Sequence, residues 1–366
     1  MIDFQHLLTY LEQLPLLVKV VWILIGFLII FIILLIFYLK YLRGYLRKKE
    51  AISKMLFTEY EANLINFLYS QTEEEINEEQ QIIVDKMKTC ITNKFKRKIF
   101  ISVMSKLKND ISGEMADSIN NLYIKTNLIN HSIAKLKSNK WYVITAGIKE
   151  LNLFEITNIF EQVKKHENHP KQEVRNEVQL YFVSLFHFKG LDFLNTLKSS
   201  ISEWNQIQLL EILQKFDDQE ISDITPWLKS GNESVVLFSL KLAKIYNQFQ
   251  IIDTLLELLN HQSKIIRLKT IEVLNYFQVN EAKKILKNNF KNSSEDEQIA
   301  FFQMLENTVE IADEEFIVLN TKHVNFQVRV LALKILKRLN NEKLLDLKNN
   351  AANDEDKLIF NYLENN

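Results

Sequence analysis

Glycine and proline are scarce in this sequence, at six and three residues among 366. A β-rich chain needs such residues at its many turns, so their scarcity points to an all-α fold. The same shortage removes glycine-rich phosphate loops, and neither a Walker-type nor a GxGxxG stretch is present. Cys90 is the only cysteine. It excludes an intrachain disulfide and a cysteine-based zinc site, and it fits a reducing compartment. A charge excess is also missing: 45 basic residues meet 46 acidic ones, for a net charge of −1. The chain as a whole therefore lacks the basic surplus of a nucleic-acid binder.

A long hydrophobic run is present. Val20 to Leu39 reads VVWILIGFLIIFIILLIFYL, twenty residues without a charge. At ~1.5 Å rise per residue it spans about 30 Å, the hydrocarbon thickness of a bilayer. A buried soluble helix would show a polar face, and this run has none. No basic segment precedes it and no small-residue cleavage site follows, so it reads as a retained anchor rather than a cleaved signal peptide. Trp22, Tyr38 and Tyr41 lie near its ends, where aromatic rings favour the interface. Asp3 and Glu12 precede the run, whereas Lys40, Arg43, Arg47, Lys48 and Lys49 follow it. The positive-inside rule then predicts a single-pass protein of the inner (cytoplasmic) membrane. Residues 1–19 would lie outside, 20–39 would span, and the C-terminal part would be cytoplasmic.

Charge is unevenly distributed beyond the anchor. Residues 40–95 form a basic flank and membrane-proximal helices with an acidic run, QTEEEINEEQQ (Gln71 to Gln81). Residues 86–140 then carry twelve basic and three acidic side chains, including NKFKRKIF from Asn93 to Phe100. The plain reading is solvated helix faces, with the acidic run offsetting the basic one. The sharper reading makes Lys94, Lys96, Arg97 and Lys98 a contact for anionic lipid headgroups or an acidic partner. Nucleic acid is set aside, because the anchor and the acidic remainder of the chain argue against it.

The rest of the sequence repeats. HQSKIIRLKTIEVLNYF (His261 to Phe277) and HVNFQVRVLALKILKRL (His323 to Leu339) share a pattern and lie 62 residues apart. With the Arg position as column zero, the register runs Ile144, Arg175, Gln206, Val236, Arg267, Gln298, Arg329, in steps of 31, 31, 30, 31, 31 and 31. Seven residues later every unit is apolar: Leu151, Phe182, Leu213, Ala243, Leu274, Leu305, Leu336. Columns +4 and +6 are apolar except for Gln179 and Glu150. This is the face of an amphipathic helix. Column −6 holds Ser138, His169, Ser200, Ser230, His261, Asn292 and His323. It is read as the turn into each second helix, with Ser and Asn as N-caps. A first helix precedes each turn, for example Ile156–His166 and Gln250–Asn260. Neither helix can bury its stripe alone, so stacked helix–turn–helix units are expected to form a solenoid over residues 96–366. Seven clear units cover about 125–340. Asp110–Leu128 is a degenerate further unit, and residues 341–366 form a charged cap around Asp354, Glu355, Asp356 and Lys357.

HPKQEVRNEVQLYFVSL (His169 to Leu185) and the two stretches above resemble the second helix of HEAT repeats, with their turn and "VR" pair. A period near 31 is similar to the short class that includes phycobilisome-lyase-type repeats, here on a bacterial membrane anchor; the abundance of Asn, Lys and Ile hints at a bacterial source. The turn Asp usual in the family is missing, and column zero is Arg in only three units. The resemblance implies a protein-binding scaffold without catalysis of its own. Its alternatives are an accessory subunit of a membrane-associated enzyme or envelope-polymer synthesis or export complex, or a lyase-like enzyme of the kind that attaches bilins to phycobiliproteins. Arg175, Arg267 and Arg329 are expected to form a structural ladder that bonds neighbouring turns. No cofactor, metal or catalytic constellation is expected. The two histidines of HENH (His166 to His169) are explained by register, and the zinc-protease spacing is absent. Asp217–Asp218 and Glu314–Glu315 read as surface carboxylates, and Trp141, Trp204 and Trp227 as packing residues at helix boundaries.

Overall fold

The computed structural model describes residues 15–69, 78–216, 221–349 and 359–360. Asp3, Glu12, most of the acidic run, the Asp217–Asp218 pair and Asp354–Lys357 of the cap lie outside the described residues. Among the described residues all regular structure is helical, with eighteen α-helices and four short 3-10 segments. The chain divides into two compact units, Met1–Ile133 and Ala134–Asn366. That division falls after the degenerate repeat, whereas the sequence divides at 95/96.

In the first unit α1 runs unbroken over Leu16–Tyr69, 54 residues or ~80 Å. It is long and apolar enough to cross a membrane, and the apolar window is unburied by the rest of the chain. Only its C-terminal third packs, through Leu56, Tyr60, Leu64, Phe67 and Leu68. These meet α2 (Glu78–Ile91), α3 (Lys94–Asp110) and α4 (Glu114–Lys125). Val84, Met87, Phe100, Val103, Met104, Ile119, Leu122 and Tyr123 complete the core. Tyr60 and Phe100 meet edge to face at 5.6 Å, and burial, with the Cys90 thiol beside it, pushes the Tyr60 phenol up. Gln80 Nε2 donates to the Phe67 carbonyl (3.0 Å) and Lys106 pairs with Glu61 (2.8 Å), tying α2 and α3 to α1. α5 (Leu128–Leu136) spans the division.

In the second unit the sequence period appears as a helix period. The second helices are α6 (Trp141–Leu153), α8 (Gln172–Phe186), α9 (Glu203–Leu213), α11 (Glu233–Ile245), α13 (Lys264–Phe277), α15 (Glu295–Thr308) and α17 (Phe326–Leu339). Column zero is the fourth residue of every one of them. All seven +7 residues are buried, and so are all seven +3 residues, from Gly147 and Val178 to Phe301 and Ala332. α6 packs on α8, α8 on α9, α11 on α13, α13 on α15 and α15 on α17. Between α9 and α11, Lys241 Nζ donates to Gln206 Oε1 at 2.8 Å. The two polar exceptions also have partners. Gln179 Oε1 accepts from Asn205 Nδ2 in the buried seam between α8 and α9, and Glu150 pairs with Lys135.

The elements ahead of each turn are shorter than the sequence suggests: α7 (Phe160–Lys164), α10 (Thr225–Leu228), α12 (Ile252–Leu258), α14 (Ala282–Asn289) and α16 (Glu314–Asn320). The helix expected at Ile156 begins only at Phe160; the Ile156 carbonyl accepts from the Tyr181 hydroxyl, and the Phe160 N–H turns back to the Thr157 carbonyl (3.2 Å). Ahead of α9 the first element is a 3-10 segment, His187–Asn195. After α17, α18 (Asn341–Asn349) packs on it through buried Leu344.

The N-caps lie in column −4, not −6. Ser202, Asn232 and Asn325 accept from first-turn amides, and Ser294 forms a capping box with Glu297. Column −6 acts two residues earlier. Its side chain accepts from the N–H of the cap residue: Ser138 from Lys140, His169 from Lys171, Ser230 from Asn232, His261 from Ser263 and His323 from Asn325, all at 3.0–3.2 Å. Ser and His share the column because hydroxyl oxygen and imidazole Nδ1 can both accept there.

Candidate functional site

The turn edge of the second unit holds the column-zero arginines. Arg175 Nη1 donates to the carbonyls of His169 (2.8 Å) and Pro170 (3.0 Å). Arg267 Nη1 reaches those of His261 (2.7 Å) and Gln262 (3.0 Å), and Arg329 Nη1 that of His323 (3.3 Å). Glutamine in this column does similar work: Gln206 Nε2 donates to Ile201 O (3.2 Å) and Gln298 Nε2 to Ser293 O (3.2 Å). Each bond closes the unit's own turn. Arg267 also crosses to the next unit, where Nε lies 2.6 Å from buried Glu297. Burial would raise the Glu297 carboxyl, but hydrogen bonds from Arg267 and Ser294 outweigh it and hold the group below the usual carboxylate range. The histidines of HENH belong to the same turn layer, and burial together with the neighbouring His169 lowers His166. No cluster of metal-ligating side chains occurs among the described residues.

A cavity of about 370 Å³ opens between α7, α8 and the 3-10 segment. Phe160, Phe182, Phe186 and Phe193 form its apolar wall, and Lys164, Lys189 and Asp192 stand around it. Buried Glu167 accepts from the Thr196 hydroxyl at the cavity wall. Asn168 bridges the same two turns, donating to Thr196 O (3.2 Å) and accepting from Lys198 N (3.1 Å). The carboxylate and hydroxyl therefore brace one turn on the next. Gly190 sets the fit: a Cβ there would fall 2.2 Å from the Phe182 carbonyl oxygen.

A second, open groove follows the C-terminal ends of α11, α13 and α15. Lys244 lies over the Tyr276 ring at 5.1 Å, and Asn307 Nδ2 donates to Asn275 Oδ1 at 2.9 Å. Tyr276 is half exposed. Near the opposite end of the second helices Tyr142, Trp204 and Ile265 are also exposed, Trp204 at 67%. The expectation that Trp204 packs is therefore overturned. Trp227 is buried, its indole N–H donating to Asn195 Oδ1 at 2.9 Å, and Trp141 is partly covered. Sequence reasoning missed this exposed set, although its residues stand at columns −2 and +9, outside the apolar stripe.

The basic segment of the first unit lies at the start of α3. Lys94, Lys96 and Lys98 are exposed. Arg97 is turned inward, with Nη1 donating to the Ile91 carbonyl at 3.0 Å, where it closes the α2–α3 turn. Lys49 of α1, which the sequence places 46 residues before Phe95, lies over the Phe95 ring at 5.3 Å.

No protein-family model matches the chain, and a comparison with curated proteins finds no match.

Proposed function

We propose that the chain is a membrane-anchored interaction scaffold, with no catalysis of its own, whose HEAT-like solenoid binds one or more proteins on the cytoplasmic face of the inner membrane. Residues 20–39 of α1 cross the bilayer once, N-terminus outside. The observation that carries the reading is the recurrence of side-chain bonds about one period apart, such as Asn232 to Ser199 (33 residues), Arg267 to Glu297 (30), Asn307 to Asn275 (32) and Asn325 to Glu295 (30). Bonds of that spacing are what stacked units make, and stacks leave their exposed columns free for partners. Trp204, Tyr276 and Ile265 are large apolar groups on that exposed set, the type that anchors interfaces.

The test uses full-length protein in native membranes with a photo-crosslinking residue at Trp204 or Tyr276, and a control at exposed Lys284. One partner crosslinked from the first two positions and not from Lys284 supports the scaffold. No adduct at any position, or equal adducts at all three, overturns it. The lyase-like alternative has the 370 Å³ aromatic cavity in its favour. It predicts a bound chromophore, readable as visible absorbance of the purified protein.

A further inference from the structure

The α2–α3 turn is aimed back along α1 toward its apolar end. Lys86 of α2 pairs with Glu59 (3.0 Å), and Gln80, earlier in α2, bonds to the Phe67 carbonyl, later in α1. Thus α2 runs antiparallel to α1. Phe95, Phe100 and Lys106 of α3 meet Lys49, Tyr60 and Glu61 in that order. Thus α3 runs parallel to α1 and begins at the end nearer the apolar segment. The level of Lys49 is ten residues beyond Leu39, about 15 Å along the helix. Headgroups occupy about 5–7 Å outside the hydrocarbon. The remaining gap of about 8–10 Å is one Debye length at physiological salt, and lysine side chains narrow it.

Charge at that level is predominantly positive, with Glu50 the one carboxylate beside Lys49 on α1. Lys94, Lys96 and Lys98 are exposed there and Lys49 adjoins them. Below them on α1 come Arg43, Arg47 and Lys48, with Glu50 and Lys54 just above. The carboxylates of Glu59 and Glu61 lie about 15 Å further from the bilayer along α1, where Lys86 and Lys106 already engage them. The first turn of α3 adds the positive end of a 17-residue helix dipole in the same direction. Arg97 does not share in this surface, since it holds the turn rigid from inside.

We infer that the α2–α3 turn is a membrane-facing platform, in which Lys94, Lys96 and Lys98, joined by Lys49, rest on anionic phospholipid headgroups of the bilayer that α1 spans. This rests on the membrane-anchored reading above. The contact fixes the first unit against the bilayer at a second point, so that α1 is not a free tether.

The test is lysine modification by a water-soluble acylating reagent, read by mass spectrometry, on full-length protein in lipid nanodiscs. Discs of phosphatidylcholine are compared with discs containing one third phosphatidylglycerol. The expected result is a severalfold slower reaction of Lys94, Lys96 and Lys98 in the anionic discs, abolished by high salt, with Lys284 unchanged. Equal rates in the two discs overturn the inference. Protection in native membranes but not in anionic discs also overturns it, in favour of an acidic protein. A chain that stays soluble outside the discs when detergent is removed sinks the anchored reading itself. Replacing the three exposed residues (Lys94→Gln, Lys96→Gln, Lys98→Gln) is expected to leave helicity intact and to speed modification of Lys49 in anionic discs. Unaltered protection of Lys49 in that variant would count against the shared surface.

Discussion

Buried charge in the second unit sits at junctions between repeats, and single residues there separate local from inter-unit bonding. Arg175 and Arg267 occupy the same column and close the same kind of turn, but only Arg267 engages a buried carboxylate one unit on. Glutamine can keep a turn-carbonyl bond, as Gln206 and Gln298 do. Arg267→Gln therefore leaves the turn closed and strips Glu297 of its guanidinium, at a cost of about 1–3 kcal/mol. Arg175→Gln should cost below about 1 kcal/mol. Urea unfolding of the two variants in the same detergent reads the difference, and equal losses would remove the inter-unit role of Arg267. Asp313 is a stronger case. It is buried, with Lys287 Nζ at 2.6 Å and buried Lys283 Nζ at 3.1 Å, and Lys283 also donates to Thr308 O (2.8 Å). Burial would raise the Asp313 carboxyl, but the Lys287, Glu310 N–H and Lys283 bonds outweigh it and hold the group below its ordinary value. A depressed folded-state value means stability that is fully present above the unfolded value of about 3.9 and is lost as pH falls through the folded one. Asp313→Asn should lose about 3 kcal/mol near neutrality. The gap from wild type should begin to narrow below about pH 4, where the unfolded carboxyl starts to bind protons, and close further as the depressed native carboxyl protonates at lower pH. A gap constant from pH 7 to 3 would show that the charge is irrelevant.

At the scale of the element, the 3-10 segment His187–Asn195 does what the short first helices do elsewhere, and Gly190 is why it fits. Its Cα approaches the α8 backbone so closely that Gly190→Ala must push the segment off Phe182, costing about 1–3 kcal/mol or more. The same shift should open the Phe160–Phe193 cavity, so binding of an apolar dye should rise as the unfolding midpoint falls. A variant as stable as wild type would mean that the segment moves freely. This element also marks where the sequence stopped being legible. The second helices could be read because their burial depends on a repeating stripe, and every +7 residue of that stripe is buried. The first elements were legible in place, as at Gln250–Asn260, but not in length, because four to nine residues are too few for a 3.6-residue period to fix their ends. The caps were misplaced by two residues because His and Ser in column −6 mimic a capping signal while serving the cap's own N–H. In the first unit, the basic run could be seen but not its turn. That Arg97 faces inward and Lys49 joins the others depends on how α1 and α3 pair, which no local pattern encodes.

At the scale of the whole molecule, the question is how far a disturbance travels. The described side-chain bonds between repeats span 26 to 35 residues, from Asn205–Gln179 to Lys241–Gln206, so each repeat is tied to the one beside it. On the stacked-repeat arrangement proposed above, stability would be a sum of unit terms and nearest-neighbour interfaces. Leu274 tests this, being fully buried in α13, which packs on α11 and α15. Leu274→Ala removes about 2–5 kcal/mol from those contacts. Hydrogen exchange on the full-length protein should then show amides of α11, α13 and α15 losing protection most, α6 and α8 much less. The amides of α2, α3 and α4 belong to the other compact unit and should not change. If protection instead falls equally from α6 to α17, the second unit unfolds as one cooperative block. Its surface could then not loosen one repeat at a time around a partner, and any protein it holds would have to dock on a preformed face.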